Sequence, residues 1–516
     1  MNQKDRRKNK PVVKHSVNAA GANKQGARSA NAQNRQRVQE ITPIREFSAG
    51  LWKVGGLTFV FSAVFVVLAL LWFYRGEDNF AAPFTGMNIL KTAAYFLSVF
   101  VSLLCVFLYM RFGEKGKEYP SLKSCILLYT VITVTALLCL IALDYLNIFA
   151  VPLALVATLL RVLVRRDVSL TAVVFTALIL FVSYVVNDAV TSVSLMNAVI
   201  AVISATFSAC FTLFLISKKF TRMKFIVMGL LGGVVALPVT ALLLLIIGES
   251  SLMLLTYLFW SYVGHAAAIV LFMFLLPVFE SVFNIADDFR LDEICNLRHP
   301  LLKKLANEAS GTFNHSQSVA ILAENCAIAM GENPHLARAA AYYHDVGKLK
   351  DPLYFVENQS NKNPHDDLLP ELSVSIITGH TTFGAELCRQ YKIPKVITDI
   401  VRQHHGDTIV NFFYMKANKI SGSELSYNNF RYPGPRPTTK IAAIIMIADS
   451  IEAASRVTIP DTQEKLEEYV DGFIKDKMEW RQFDNCPITM RELGIIKRSI
   501  AETLPGIRHG RIAYKK

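Results

Sequence analysis

Residues 252–278, LMLLTYLFWSYVGHAAAIVLFMFLLPV, contain no Asp, Glu, Lys or Arg, and His265 is the one side chain there that can be charged near neutrality; from 279 the chain reads FESVFNIADDFRLDEICNL. About 20 apolar residues cross the roughly 30 Å hydrocarbon core of a bilayer. The chain therefore changes solvent near Phe279: a membrane-embedded helical part ends and a water-soluble part begins. Working back from this point gives seven more apolar stretches, at 51–74, 89–110, 123–143, 147–164, 169–187, 194–216 and 225–247, the third and fourth separated only by Asp144, Tyr145 and Leu146. Eight spans are expected.

Charge orients them. Connections after even-numbered spans carry Arg111, Lys115, Lys117 and Lys123, then Arg161, Arg165 and Arg166, then Lys218, Lys219, Arg222 and Lys224, whereas the alternate connections carry only Arg75 and Lys91. Excess Lys and Arg stay on the cytoplasmic side, so both termini are expected in the cytoplasm. The longest connection on the far side is 75–88, too short for an extracellular domain. With 52% hydrophobic and 18% charged residues among 516, against about 25% charged in soluble domains, and a mean hydropathy of +0.34, the chain is not a wholly cytoplasmic enzyme.

Eleven Lys and Arg against Asp5, Glu40 and Glu46 give residues 1–46 a net +8 of the chain's +13. This polar head, 1–48, buries too little apolar surface to order itself. A basic segment before a first span holds the N-terminus on the anionic cytoplasmic leaflet, a better reading than a nucleic-acid-binding arm, and no nucleic-acid polymer is expected as a partner. The head is too long and polar for a secretory leader. The eight cysteines form no CxxC pair, which fits reduced thiols rather than disulfides or structural zinc. Intramembrane His265 reads as a histidine bonded to a neighbouring helix, with no chain of buried carboxylates around it to suggest a transporter.

Beyond the last span, 280–298 continues as an amphipathic linker helix and 299–516 reads as helices alone. One begins near His315, with Val319, Leu322, Ala323, Cys326, Ala327 and Met330 on one face before Gly331 and Asn333-Pro334 stop it. Others are expected at 335–346 ended by Gly347, 370–391, 394–405, 438–456 capped by Thr438 or Thr439, 461–480 and 489–503. The fold class is all-α: a polytopic transmembrane bundle, 49–279, followed by a cytoplasmic helical domain.

His315, His344, His380, His404 and His405 fall on or at the ends of those helices, with Asp345 and Asp449. Any one alone would be a structural histidine. Seven N/O donors on successive helices are a candidate metal site, and adjacent His344-Asp345 places an imidazole and a carboxylate about 100° apart around a helix axis, within reach of neighbouring ions. Imidazole and carboxylate without thiolate favour manganese or iron over structural zinc. A pair of such ions activates water and stabilises the leaving oxygen in an in-line displacement, which points to phosphate-ester hydrolysis.

The ordered series His315, His344-Asp345-Val346-Gly347-Lys348, His380, His404-His405 and Asp449 resembles the HD phosphohydrolase superfamily. The stretches EASGTFNHS, AAYYHDVGKLKDPLYFVENQ, NPHDDLLPELS, IITGH, HHGDT, FRYPGPRPTTK and IADSIEAASR resemble more narrowly the seven-transmembrane-receptor HD family, PgpH-type membrane phosphodiesterases that hydrolyse cyclic di-AMP to pApA. The resemblance covers the soluble part from about Leu291 and, more loosely, the membrane part. It implies one metal held by His315, His344, Asp345 and Asp449 and a second by Asp345, His380, His404 and His405, with Asp345 bridging as a catalytic residue and Lys348 steadying the phosphate; no organic cofactor is implied. The loop holding Glu357-Asn358-Gln359 and Asn363-Pro364-His365-Asp366 reads equally as substrate contact or structural turn.

Two departures stand out. Where the family has Pro-Gly-Thr-Tyr-His-His-Ser, this chain has Ser310-Gly311-Thr312-Phe313-Asn314-His315-Ser316, so any role of the first histidine is lost. The family's extracellular region between the first two spans is missing, which excludes sensing through such a domain. The expected partners are a cyclic dinucleotide and the lipid bilayer of the bacterial inner membrane, with a homo-oligomer left open. The rivals are another HD phosphohydrolase, acting on cyclic di-GMP or a nucleotide, and a nucleotide-binding receptor without turnover. Gly406-Asp407-Thr408 after the paired histidines, instead of Gly-Tyr-Pro, argues against the cyclic di-GMP enzyme.

Overall fold

The computed structural model describes residues 52–75, 87–112, 121–186, 195–216, 222–359, 362–457 and 460–507. The basic head 1–48, the stretch 76–86 and Lys115, Lys117, Lys218 and Lys219 lie outside them. In chain order, α1 (Trp52–Phe73), α2 (Met87–Phe112), α3 (Leu122–Tyr145), α4 (Ala154–Leu163), α5 (Arg166–Val186), α6 (Leu195–Leu215), α7 (Arg222–Ile246) and α8 (Ser251–Phe283) form an apolar series, and all but α4 are long enough to cross a membrane. This is a membrane protein. Among the described residues there is no strand, only an isolated bridge between Ile409 and Arg431.

The chain divides into two compact units. The first holds the described residues up to Leu160, with Arg166–Leu213 and Gly232–Ala268; the second holds Arg161–Arg165, Phe214–Leu231 and Ile269 onward. The expected boundary at 279/280 falls inside the continuous helix α8.

In the first unit, polar side chains tie apolar helices together. Thr58 and Tyr129 share a hydrogen bond of 2.8 Å and Tyr95 and Ser183 one of 2.7 Å. Asp144 accepts from Trp72 at 2.6 Å and Arg75 at 2.8 Å. Outward-facing Phe59, Leu97, Val174 and Leu242 are exposed, as expected of helix faces bathed in lipid. The span expected at 147–164 is corrected: the chain is non-helical from Asn147 to Leu153, and only then does the ten-residue α4 begin. Pro152 lacks an N–H to continue a helix, and the Asn147 side chain turns back to accept from the Phe149 N–H at 3.0 Å. Irregular backbone at membrane depth must be covered by protein, and Ile148, Phe149, Ala150, Val151 and Leu153 are all buried. Gly264 of α8 makes this cover close, because a Cβ there would lie 2.5 Å from the Ala150 carbonyl carbon.

The second unit carries the soluble helices. The linker expected as one helix over 280–298 is two pieces: α8 ends at Phe283, Asn284 takes a left-handed φ of 44°, and α9 (Asp288–Ile294) starts afresh, its N-cap Asp287 accepting from the Arg290 N–H at 2.8 Å. There follow α10 (Pro300–Glu308), α11 (Ser310–Met330), α12 (Pro334–Tyr343), α13 (Pro370–Gln390), α14 (Lys395–Gln403), α15 (Asn411–Ser421), α16 (Lys440–Ser455), α17 (Gln463–Glu479) and α18 (Met490–Ile507). Three-ten turns fill 346–350 and parts of 352–367.

The apolar face read from the sequence on α11 is buried: Val319, Leu322, Ala323, Cys326 and Ala327 pack with Ile444 and Ile447 of α16 and Ile496 and Ile500 of α18. Alanines at 337, 340 and 341 let α12 approach this core closely. A second cluster, built from Leu301, Leu305, Tyr343, Val346, Ile397 and Val401, lies under the turn after α12. Fully burying each Leu or Ile stabilises by about 1.5–3 kcal/mol, so two such clusters fix the helix ends from which the site is built. Thr439 caps α16, its hydroxyl accepting from the Ala442 N–H at 3.2 Å.

Candidate metal centre

The seven side chains read from the sequence come together. His315 projects from the second turn of α11, His380 from α13 and Asp449 from α16, while His344 and His404 follow the last residues of α12 and α14. His344-Asp345 therefore does not sit on successive positions of one helix, as the 100° argument assumed. α12 stops at Tyr343, and Asp345 has φ −108° and ψ 11°, a turn that leads directly into the three-ten segment. Gly347 sets this bend against α13, since a Cβ there would lie 1.8 Å from the His380 carbonyl oxygen.

The donors form two quartets, each with its ligating atoms within 4.8 Å of one another: His315, His344, Asp345 and Asp449, and Asp345, His380, His404 and His405. Asp345 belongs to both, and its two oxygens face different ways. Oδ2 lies 3.3 Å from His344 Nε2 and 3.6 Å from His315 Nε2, whereas Oδ1 lies 3.2 Å from His380 Nε2 and 3.6 Å from His404 Nε2. Asp449 closes the first quartet, 2.9 Å from His315 Nε2, and reaches toward His405 Nδ1 at 3.8 Å. Asn314, which replaces the first histidine of the family pattern, is exposed and belongs to neither quartet.

Four imidazoles are oriented through Nδ1. His344 pairs with the Ala341 carbonyl at 2.6 Å, His380 with that of Ile377 at 2.6 Å and His404 with that of Val401 at 2.7 Å. His315 instead pairs with the carboxylate of Glu452, itself buried and held by Arg456 Nη2 at 3.1 Å. A ring whose Nδ1–H is engaged presents its Nε2 lone pair, and here those Nε2 atoms converge. The donor set fits divalent cations, because His344 Nε2 and both Asp345 oxygens are buried without a hydrogen bond, a costly state unless something else coordinates them. The Lys348 ammonium, 2.7 Å from Asp345 Oδ2, supplies charge there but not hydrogen-bond geometry.

Electrostatics agree with a ligand role. Burial opposes ionisation of Asp345, but Lys348 and His344 outweigh it and hold the carboxyl well below its usual range. Burial pushes the His404 imidazolium down to about 4, and His405 also lies well below its ordinary value, so both rings are neutral and able to ligate. His344 is raised to about 10, Asp345 overcoming the burial that disfavours its charge.

One residue, Glu452, escaped the sequence reading, and another, Glu357, was read only as part of a loop that is equally substrate contact or structural turn. Glu452 lies one turn beyond Asp449 on α16, so an i, i+3 carboxylate on a ligand-bearing helix was its available signal. Glu357 lies in the loop after Lys348 and accepts from the lysine at 2.7 Å and from Thr312 Oγ1 at 2.9 Å. Only the tertiary fold reveals this, together with the approach of Gly311, where a Cβ would meet the Glu357 carbonyl oxygen at 1.9 Å. Lys348 is thus fixed between Asp345 and Glu357 and lies over the Phe355 ring at 5.0 Å.

Above the quartets opens a cavity of about 940 Å³; His315, His380, His405 and Asp449 reach its floor, and Phe355 and Phe413 are among its walls. The Tyr432 ring lies against His405 with centroids 4.3 Å apart. The loop residues Glu357, Gln359, Asn363 and His365 line the same space. Mono- or dinucleotides are of a size that such a cavity admits.

Comparison with known proteins adds family likeness. Residues 89–286 match the family model described as 7TM receptor with intracellular HD hydrolase, and residues 312–454 match the HD domain. The cyclic-di-AMP phosphodiesterase PgpH of Bacillus subtilis (strain 168) is 38% identical over 449 residues, which are 85% of this chain and 61% of that protein. The cyclic-di-AMP phosphodiesterase PgpH of Listeria monocytogenes serotype 1/2a (strain 10403S) is 38% identical over 370 residues, 71% of this chain and 50% of that protein. The chain thus spans about half to three fifths of these curated relatives. A crystal structure of the L. monocytogenes phosphodiesterase PgpH HD domain in complex with cyclic-di-AMP is 48% identical, with 42% of this chain and all of that chain covered and a TM-score of 0.40.

Proposed function

The chain belongs to the family of seven-transmembrane receptors with an intracellular HD hydrolase domain, and from that premise we propose that it is a two-metal phosphodiesterase opening cyclic di-AMP to the linear dinucleotide pApA. The observation that carries this reading is the splitting of Asp345: its two oxygens face separate imidazole groups on the floor of one cavity. A structural carboxylate would be saturated by hydrogen bonds, whereas this one is buried without any.

In the proposed site His315, His344, Asp345 and Asp449 hold one ion and Asp345, His380, His404 and His405 the other. Manganese or iron suits nitrogen and oxygen donors without thiolate. Two such ions supply Lewis acidity and charge neutralisation for in-line attack of water on phosphorus. The chain's own residues do the rest. Glu452 and three backbone carbonyls fix the rings, so little reorganisation is needed when substrate arrives. Lys348, already fixed between two carboxylates, offers an ammonium N–H to a phosphate oxygen at the cavity wall. Apolar walls near Phe355 and Phe413 exclude water from around the sugar and base.

The membrane is the bacterial inner membrane, with the hydrolase on its cytoplasmic face. Arg161, Arg165, Arg222 and Lys224 belong to the same compact unit as the soluble helices, and Lys and Arg mark the cytoplasmic side. The test is hydrolysis by the full chain in detergent micelles with manganese: cyclic di-AMP is expected to yield pApA, and Asp345→Ala to abolish the reaction. Undiminished cleavage by that variant contradicts the two-metal reading; faster cleavage of cyclic di-GMP removes the substrate assignment.

A further inference from the structure

We propose that Lys477, on α17, forms a separate anion subsite in the cavity and binds the second, non-scissile phosphate of the cyclic dinucleotide. Its ammonium makes no ion pair and no side-chain hydrogen bond among the described residues, yet its side chain lines the cavity beside Asp449, Ser450 and Ala453.

The other cationic groups lining this space are committed. Lys348 is paired with Asp345 and Glu357, both at 2.7 Å, and its remaining N–H is taken by the scissile phosphate in the proposed reaction. Arg456 is paired with Glu452 at 3.1 Å. His315, His380 and His405 belong to the quartets, and His365 is bonded through Nε2 to the Tyr354 carbonyl at 3.0 Å. Lys477 is half-buried, so its charge is partly stripped of water, and the carboxylates that act on it, Asp449 and Asp476, do so without forming a salt bridge. Such a group gains most when an anion arrives, because the cost of desolvating it has already been met by folding.

The inference rests on the functional reading above and deepens it. A cyclic dinucleotide carries two phosphodiester anions on opposite sides of its ring, and only one can be at the metal quartets. The other enters a space whose walls otherwise offer aromatic rings, aliphatic groups, carboxylates, uncharged polar side chains such as Gln359 and Ser450, and cations already paired, so Lys477 is the cation there with no carboxylate in salt-bridge contact. α17 contributes none of the seven ligands, so this subsite is attached to the centre from outside its motif. It recognises phosphate rather than base.

The experiment is steady-state kinetics of the full chain in detergent with manganese, on cyclic di-AMP and on bis(p-nitrophenyl) phosphate, which has a single phosphate. In Lys477→Met the KM for cyclic di-AMP, relative to that for the single-phosphate ester, is expected to rise about tenfold or more, the worth of a lost charge-assisted hydrogen bond. Lys477→Arg, which retains the cation, should recover most of it. An unchanged ratio in Lys477→Met overturns the subsite, and so does equal impairment on both esters, which would mark a role in folding or in the metal centre. If the unaltered chain cleaves the single-phosphate ester but leaves cyclic di-AMP intact, the functional reading falls and takes this inference with it.

Discussion

Two buried histidine environments in this chain look alike in sequence and differ in bonding. In the membrane unit His265 has both ring nitrogens engaged, Nδ1 with Ser208 at 2.5 Å and Nε2 with Thr212 at 3.4 Å. In the unit of soluble helices His344 has Nδ1 on a backbone carbonyl and Nε2 buried with no hydrogen bond. The first is satisfied by its own helices, so it serves packing. The second is left incomplete by the protein, and that incompleteness identifies a place for a ligand. Burial and residue type are shared; what separates structure from chemistry is whether the second nitrogen is hydrogen-bonded by the fold or faces a carboxylate that is itself left open.

The comparison can be sharpened from the outside of the site inward. Glu452→Gln keeps the shape at His315 Nδ1 but removes the charge that orients the ring and enhances its basicity. Metal affinity, measured by equilibrium dialysis against manganese, is expected to fall about 10–100-fold, with little change in helicity. No loss of affinity would reduce Glu452 to a packing residue.

Proton competition gives the next effect. In the metal-free chain His344 is raised to about 10, so at neutral pH an incoming ion must expel its proton. Asp345 is already ionised and His404 and His405 already neutral. His315 is raised as well, Asp449 and Glu452 overcoming its burial, so affinity should rise by up to about tenfold per pH unit for each proton displaced, from neutrality toward pH 10, and weaken as pH falls. Titrating manganese at several pH values checks the slope; a flat profile would mean that His344 does not ligate.

The smallest effect is expected in the membrane. His265→Leu removes the bonds to Ser208 and Thr212 at a cost of about 1 kcal/mol, the scale of interhelical hydrogen bonds in bilayers. Thermal unfolding in micelles should shift slightly while metal content stays constant. Loss of metal in this variant would break the distinction between the two histidines.

How much of this was legible depended on whether local pattern or tertiary contact set each feature. The apolar face of α11, its stop at Gly331 and Asn333-Pro334, and the cap at Thr439 are written in short-range spacing and were readable. The seven donors were readable as an ordered series, although the helix-based geometry assigned to His344-Asp345 was not: Gly347 packs on the His380 carbonyl, and the helix ends early. The break before α4 is a tertiary outcome, since 147–164 is as apolar as its neighbours. α15 was missed because its buried face is only Phe413, Tyr414 and Ala417, held by Val374 and Phe430 from elsewhere in the chain. Glu357 depends wholly on the loop folding back to Thr312.

The central claim is that one carboxylate joins two ions. Elemental analysis of the manganese-loaded full chain, beside Asp345→Ala prepared identically, tests it most directly. Two ions per chain are expected for the unaltered protein, with both lost or greatly weakened in the variant; a single ion, or equal metal content in the two proteins, would contradict it.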